Sequence, residues 1–457
     1  MSGKLTIKTL ISFDENTAMY FLIQEFMKLH PDVTIDVDSS VSSLEWANMS
    51  RAEIQMAKDS FSSGISMEIG SGEADYIMYD VRDRINIPQF TRNGLLIDLY
   101  QFWNHDPELN HEDYFTHVLE GFEVDGKLAT LPIAFSFYDL YLNREILDEL
   151  QVDPESIETV DANRVLDWYE QARELHGDLN LNFSSPGKDG LYYYLERCRY
   201  IDLENRDAAF DSPEFIEFLT RTNNALNEDP GLDQQLLGMG NNGGLLDANI
   251  SYRKTGKYPE NIFAWQADTF KTVVENARPG FFVLEDSFLP NLITMQQPKE
   301  YAVGPYPLTS SDGKLGVRSV EEFCVPVSMK NQPLAWEFIR YCISARDREY
   351  LDFAEMGSSA AYTNRIPLCK TTFQNMLADI DQNGLHDLSV GYSDFDTIDP
   401  AAMTEMMDRI LDRPIVNIDL YSVDVDEFLL EFYDNGLTTP EQCAEKMQGR
   451  AYIWLNE

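Results

Sequence analysis

Hydrophobic and polar positions alternate at the start of the chain: Leu5 and Ile7 stand between Lys4, Thr6 and Lys8, and Leu10-Ile11 continue the run, which predicts a strand. The period then changes. Asp14, Glu15, Asn16 and Thr17 supply cap and first-turn chemistry, and Ala18, Leu22, Phe26 and Leu29 recur at helical spacing until Pro31 stops them. Val33, Ile35 and Val37 alternate again, so strand, helix and strand predict a βαβ unit and an α/β protein. Asp75-Tyr76-Ile77-Met78-Tyr79 reads as a buried strand, and Gly94 to Leu99 closes a helical stretch. Phe122 to Leu131 predicts two short strands around Asp125-Gly126, a strong hairpin signal, with Pro132 ending them. The remainder reads as mainly helical, with periodicity near 161–175, 212–227, 333–344, 400–412 and 439–448. No repeat, Pro/Ser-rich linker or low-complexity tract separates domains, which predicts domains joined by several short crossings.

Composition narrows the functional classes. With 457 residues, 44% hydrophobic and 25% charged, the chain can bury cores for roughly two to four domains. Seventy-eight acidic against 35 basic residues leave a net charge of −43, which repels phosphate backbones and anionic membrane surfaces. Nucleic acid is therefore not expected as a partner. Cys198, Cys324, Cys342, Cys369 and Cys443 are odd in number with no CxxC pair, so neither a disulfide framework nor a zinc site is signalled. No apolar run approaches the ~18 residues that span a bilayer. Met1-Ser2-Gly3-Lys4 runs straight into the first strand without a signal peptide, as expected if a targeting segment has been removed.

Candidate chemistry is sparse. Gly238-Met239-Gly240-Asn241-Asn242-Gly243 matches GxGxxG, but no strand precedes it and the flanking Gly244 predicts a surface loop. Asp379 to Gly384 has the opening oxygen spacing of a calcium loop, yet Val390 occupies the twelfth position where a bidentate Glu is needed, so a solvated turn is expected. His105, Asp106, His111, Glu112, Asp113 and His117 form the histidine cluster, with His111 and His117 six apart and no HExxH, so no metal is expected. There is no GxSxG, and with 78 acidic residues no acid/base pair can be nominated. No cofactor is called for. Aromatics at apparent strand ends or loops, namely Phe13, Tyr79, Phe135, Phe137, Tyr138, Trp265 and Tyr362, stand out, because ligand clefts in α/β folds lie beyond strand carboxyl ends.

From Lys4 to the C-terminus the sequence resembles the extracellular solute-binding proteins of ABC importers, the group that includes maltose- and oligosaccharide-binding proteins. The resemblance is carried by the opening strand-helix-strand with Phe26 and Pro31, by Gly72-Glu73-Ala74-Asp75-Tyr76-Ile77, and by Asn93-Gly94-Leu95-Leu96-Ile97-Asp98-Leu99. Most specific are Asp125-Gly126-Lys127-Leu128-Ala129-Thr130-Leu131-Pro132 and Tyr141-Leu142-Asn143-Arg144-Glu145-Ile146-Leu147. Phe210 to Leu219, Gly304-Pro305-Tyr306-Pro307, Ala335-Trp336-Glu337-Phe338-Ile339 and the terminal Ile453-Trp454-Leu455-Asn456-Glu457 agree in order.

This resemblance implies a two-lobe α/β periplasmic-binding-protein-like fold of the class II type, with ligand trapped as the lobes close by hinge bending. Lobe one is expected over 1–134 and 317–367, lobe two over 135–316 and 368–457. The implied activity is capture, not catalysis: a monomeric extracytoplasmic receptor, a cell-surface lipoprotein or periplasmic protein, takes an oligosaccharide to the transmembrane permease. Phe13 and Asp14 match the first strand-to-helix loop, where maltose-binding relatives place a sugar-binding carboxylate. Tyr79, Asp83 and Arg84 resemble an aromatic followed by an Asp-Arg pair, and Ser136 stands where those relatives have a glutamate. Trp265 resembles the stacking tryptophan of lobe two, and Phe323 replaces a small, glycine-rich pattern at the second crossing. The rivals are the same fold holding a polyamine or peptide-like solute, suggested by the acidity, and a secreted carbohydrate-active enzyme.

Overall fold

The computed structural model describes residues 2–13, 17–82, 84–176, 180–183, 196–226, 280–284, 302–344, 366–383, 399–433 and 436–456. Its strands, in chain order, are β1 (Gly3–Ile11), β2 (Val33–Val41), β3 (Ile77–Tyr79), β4 (Glu123–Val124), β5 (Lys127–Leu128), β6 (Leu131–Phe137), β7 (Asp139–Asn143), β8 (Asn180–Phe183), β9 (Ile201–Asp202), β10 (Asp207–Ala208), β11 (Gly280–Leu284), β12 (Ala302–Pro307), β13 (Leu315–Cys324), β14 (Ile366–Pro367) and β15 (Ile415–Asn417). The chain divides into two compact units. Unit 1 comprises Met1–Ser136, Val317–Gly384 and Thr397–Ser422, and unit 2 comprises Phe137–Gly316, Leu385–Asp396 and Val423–Glu457.

Unit 1 is built on a seven-stranded sheet ordered β14-β6-β13-β3-β1-β2, with β15 paired to β13. The predicted βαβ start is present: Leu5 and Ile7 are buried while Lys4 is exposed, β1 pairs in parallel with β2 and β3, and the helix Ala18–Leu29 forms the first crossover. Thr17 caps that helix by accepting from the Tyr20 N–H, and the helix ends at His30 ahead of Pro31. The second crossover, Arg51–Ser71, opens with a Ser50/Glu53 capping box and stops at Gly72, whose φ of +73° suits glycine. The Asp125-Gly126 hairpin is also as predicted, with φ of 52° and 73° at the two turn residues.

An aromatic line forms the core on one face of this sheet. Phe26 meets Phe338 at 5.2 Å, Phe338 meets Phe323 at 5.9 Å, and Phe323 meets Tyr79 at 5.4 Å between ring centroids. The helix Gln332–Ile343, which carries Phe338, is anchored at Trp336: its Nε1–H donates to Asp106 Oδ2 at 2.7 Å and its ring stacks on Phe102. Trp336→Phe keeps the stack and removes a hydrogen bond to a charged acceptor, so urea denaturation should show a loss of about 1.5 to 3 kcal/mol.

Unit 2 contains a four-stranded sheet, β12-β7-β11-β8. Its aromatic core includes Tyr200, Phe210, Phe215 and Phe218. The terminal helix Pro440–Asn456 locks onto that core through Gln448, which accepts from the Phe210 N–H and donates to the Ala208 carbonyl, both at 2.8 Å.

Several expectations are corrected here. Pro132 does not end the hairpin region but lies inside β6, opposite Glu322 of β13. That register is broken by irregularities on either side of Glu321, where a missing N–H is tolerated. Asp379 to Asn383 form neither a calcium loop nor a turn; they end the helix Lys370–Asn383. The stretch 368–457, expected whole in lobe two, is divided: its residues up to Ser422 that are described lie in unit 1. The Leu368 N–H donates to the Ile133 carbonyl and the Asn417 N–H to the Gly121 carbonyl, each at 3.0 Å. Gly121 permits this approach, since a Cβ there would lie 2.8 Å from Ile415 Cγ2. The segment 238–243 lies outside the described residues.

Candidate functional site

Three strands of unit 1 run in the same direction, because β1 is parallel to β3 while β3 and β6 are each antiparallel to β13. Their carboxyl ends deliver Phe13, the segment beginning at Asp80, and Ser136 to one edge of the sheet. The half-buried Phe13 ring meets Tyr79 edge-on at 5.2 Å, and Tyr79 in turn lies opposite Phe323 in register. Tyr79 is 6% and Phe323 0% exposed, so these two rings support Phe13 from the core. Phe135, Phe137 and Tyr138 are likewise fully buried. These residues, nominated from sequence as ligand-contacting together with Ser136, are packed inside, because every position of β6, and Tyr138 directly after it, is buried.

Beyond β3 the backbone turns sharply at Asp80, with φ of 51°, a conformation uncommon outside glycine. Its N–H donates to the Glu322 carbonyl at 3.0 Å. Arg84 Nη1 donates to the Asp80 carbonyl and lies 3.5 Å from Asp80 Oδ2, while Arg82 Nε lies 3.1 Å from Asp80 Oδ1. Two guanidiniums thus pin the turn. Burial works against the charge of Arg82, but Asp80 and Asp419 hold it protonated. Arg84 Nε is buried and has no hydrogen-bond partner among the described residues.

On β13, Arg318 lies opposite Ser136 and its Nε donates to Asp419 Oδ1 at 3.1 Å. Glu322, on the same strand, is enclosed, and neither of its carboxyl oxygens meets hydrogen-bond geometry among the described residues, although the Ser319 hydroxyl lies beside it. Burial pushes its pKa up to about 8, with Arg82 opposing and Asp419 adding to the rise. Asp80, Arg82, Arg318, Glu322 and Asp419 were not reached by sequence reasoning. The one local signal was the Glu321-Glu322 pair set inside an apolar run ending Phe323-Cys324-Val325.

Asp14, Asp83, Trp265 and Tyr362 lie outside the described residues. Within the histidine cluster, His111 packs: its ring stacks on Trp103 and a ring nitrogen pairs with the Trp103 carbonyl at 3.0 Å. Among the described residues no group of three or more His, Cys, Asp or Glu could hold a metal, and no helix is long and apolar enough to cross a membrane.

No family model and no curated protein sequence matches the chain. Solved structures do, over nearly its full length. One is an extracellular solute-binding protein of family 1 from Alicyclobacillus acidocaldarius, at 15% identity and TM-score 0.53, covering 100% of this chain and 99% of the other. Another is the sugar-binding protein MalE from Xanthomonas citri, at 12% identity and TM-score 0.54, covering 99% of this chain and 98% of the other. A third, a de novo designed cysteine esterase, reaches TM-score 0.56 at 14% identity, covering 100% of this chain and 98% of the other. The chain therefore has the fold of the extracellular solute-binding proteins, a mixed α/β architecture of two lobes. The likeness in sequence motifs is matched by a likeness in fold.

Proposed function

We propose that this protein is the extracytoplasmic substrate-binding component of an ABC importer, a monomer that captures an oligosaccharide by hinge closure and passes it unaltered to the permease. The observation that supports this most is the shared end of the unit 1 sheet, where Phe13 and Arg84 follow the carboxyl ends of β1 and β3 and Ser136 is the penultimate residue of β6. Ligands of α/β folds gather at such ends. A half-buried aromatic ring and a guanidinium at the same end of a sheet suit a pyranose, whose C–H face covers the ring while its hydroxyls pair with the polar group. Asp14, Asp83, Trp265 and Tyr362 are nominated by the sequence alone, while Tyr79 backs Phe13. A stack burying roughly 100 Å² contributes about 2.5 kcal/mol, so two or three stacks plus hydrogen bonds reach the about −8 kcal/mol of a micromolar binder. The name of the Xanthomonas citri neighbour, a sugar-binding protein, favours the same ligand class.

The net charge of −43 favours a second reading, in which the same fold takes a polyamine or another cationic solute. A thermal-shift panel of mono-, di- and oligosaccharides, polyamines and short peptides separates the two. A ligand at 100 times its Kd adds ~2.7 kcal/mol to stability. The carbohydrate reading expects a rise of several degrees with one glycan class, and at least a tenfold weaker Kd in Arg84→Ala. A rise with polyamines alone would replace it with the second reading.

A further inference from the structure

The turn that pins Arg84 contains a charge arrangement that sugar binding does not need. Glu322 is 1% exposed, and its partner across the β6–β13 ladder is Pro132, which has no N–H to offer. The charged and titratable groups around it come from three elements. Arg82 and Asp80 face it from the turn after β3, and Asp419 from the one-turn helix Ile418–Tyr421, while Arg318, Glu321 and Cys324 share its own strand. A carboxylate buried this deeply, with the Ser319 hydroxyl beside it, is costly in its charged form unless a cation moves to it. Arg82 is the nearby cation whose charge acts on Glu322, and it is shared with Asp80 at 3.1 Å.

We infer that Glu322 is a proton switch for the turn at Asp80: neutral, it leaves Arg82 on Asp80 and the turn fixed; ionised, it draws Arg82 away and the turn loosens. The proton passes to solvent, and no other bond is made or broken. The left-handed backbone of Asp80 is what gives the switch leverage, because a non-glycine residue at φ of 51° persists only while its surroundings hold it. Burial places the titration of Glu322 at about 8, within reach of ordinary external pH. The consequence for ligand rests on the proposed carbohydrate site: Arg84 is best positioned, and sugar is bound most tightly, while Glu322 is neutral.

The test uses the full chain without ligand. Hydrogen–deuterium exchange of residues 79–86 is compared at pH 6.5 and pH 9, corrected for the intrinsic pH dependence of exchange, in the wild type, Glu322→Gln and Arg82→Gln. Protection of this segment should fall at least threefold at pH 9 in the wild type, with no such fall in either variant. A wild-type turn equally protected at both pH values, or a fall that persists in either variant, overturns the switch. Glycan Kd values at the same two pH values then test the consequence. A threefold or greater weakening at pH 9 that Glu322→Gln abolishes supports the coupling, and a pH-independent Kd beside a responding turn overturns it. A responding turn in a protein that binds no carbohydrate at either pH overturns the sugar reading while the switch stands.

Discussion

Replacing Phe323 by alanine should lower the free energy of unfolding by about 3 to 5 kcal/mol, the usual cost of deleting a large ring from a packed core. The ring is 0% exposed and joins Tyr79, 5.4 Å away, to Phe338, 5.9 Å away, so its removal opens a cavity between the sheet and the helix Gln332–Ile343. Phe13 rests on Tyr79, and the same substitution should therefore also soften the proposed binding edge. Urea denaturation of Phe323→Ala against Phe323→Leu measures the effect, with leucine expected to recover more than half of it. A loss below 1 kcal/mol would mean that the ring is not the centre of unit 1's core.

The second large effect is a change in how stability depends on pH. In the folded chain the Glu322 carboxyl is raised from its ordinary value of 4.5 to about 8, so folding takes up a proton between those two pH values. The sign follows from linkage: the folded state binds more protons than the unfolded state in this window, and stability falls as pH rises through it. Below 4.5 both states are protonated, and above 8 both are ionised, so the loss is confined between them. At 1.36 kcal/mol per pKa unit, with allowance for relaxation around the charge, the loss amounts to about 2 to 4 kcal/mol. Glu322→Gln removes it. The difference in unfolding free energy, variant minus wild type, should climb by that amount from pH 4.5 to pH 9 and then level off. A flat difference curve would show that Glu322 titrates normally.

The start of the fold was legible because its strands and helices show only one face to the core. In β1 the exposed Lys4 against the buried Leu5 and Ile7 betrays the period, and Thr17 and Pro31 bracket the helix. The strands that join the units were not legible in the same way. Every residue of β6, from Leu131 to Phe137, is buried, so the strand has no period to read, and its Pro132 argues locally for a stop. In β13 two register irregularities break the alternation, and Glu321-Glu322 place charge where a core strand should be apolar. Four strands of unit 2, β7, β8, β11 and β12, fell within stretches whose surroundings read as helical.

The site divides along the same line. Phe13, Arg84 and Ser136 were nominated because each matches a position in a motif of the resembled family. Their support was not, since Asp80, Glu322 and Asp419 are far apart in the chain and meet only because β3 pairs with β13 and β15 joins the same sheet. Arg318 and Ser136 likewise face each other through strand register alone. Short spacing in sequence can nominate a loop, but a buried ion network is assembled by the sheet.

Isothermal titration of the purified full chain with the glycan that gives the largest thermal shift, followed by mass analysis of the recovered ligand, tests the central claim most directly. The account predicts one site per chain with a Kd near or below the micromolar range, a negative heat-capacity change from apolar burial, and ligand recovered intact. Heat of binding from a polyamine but from no glycan, or glycan recovered cleaved, would contradict it.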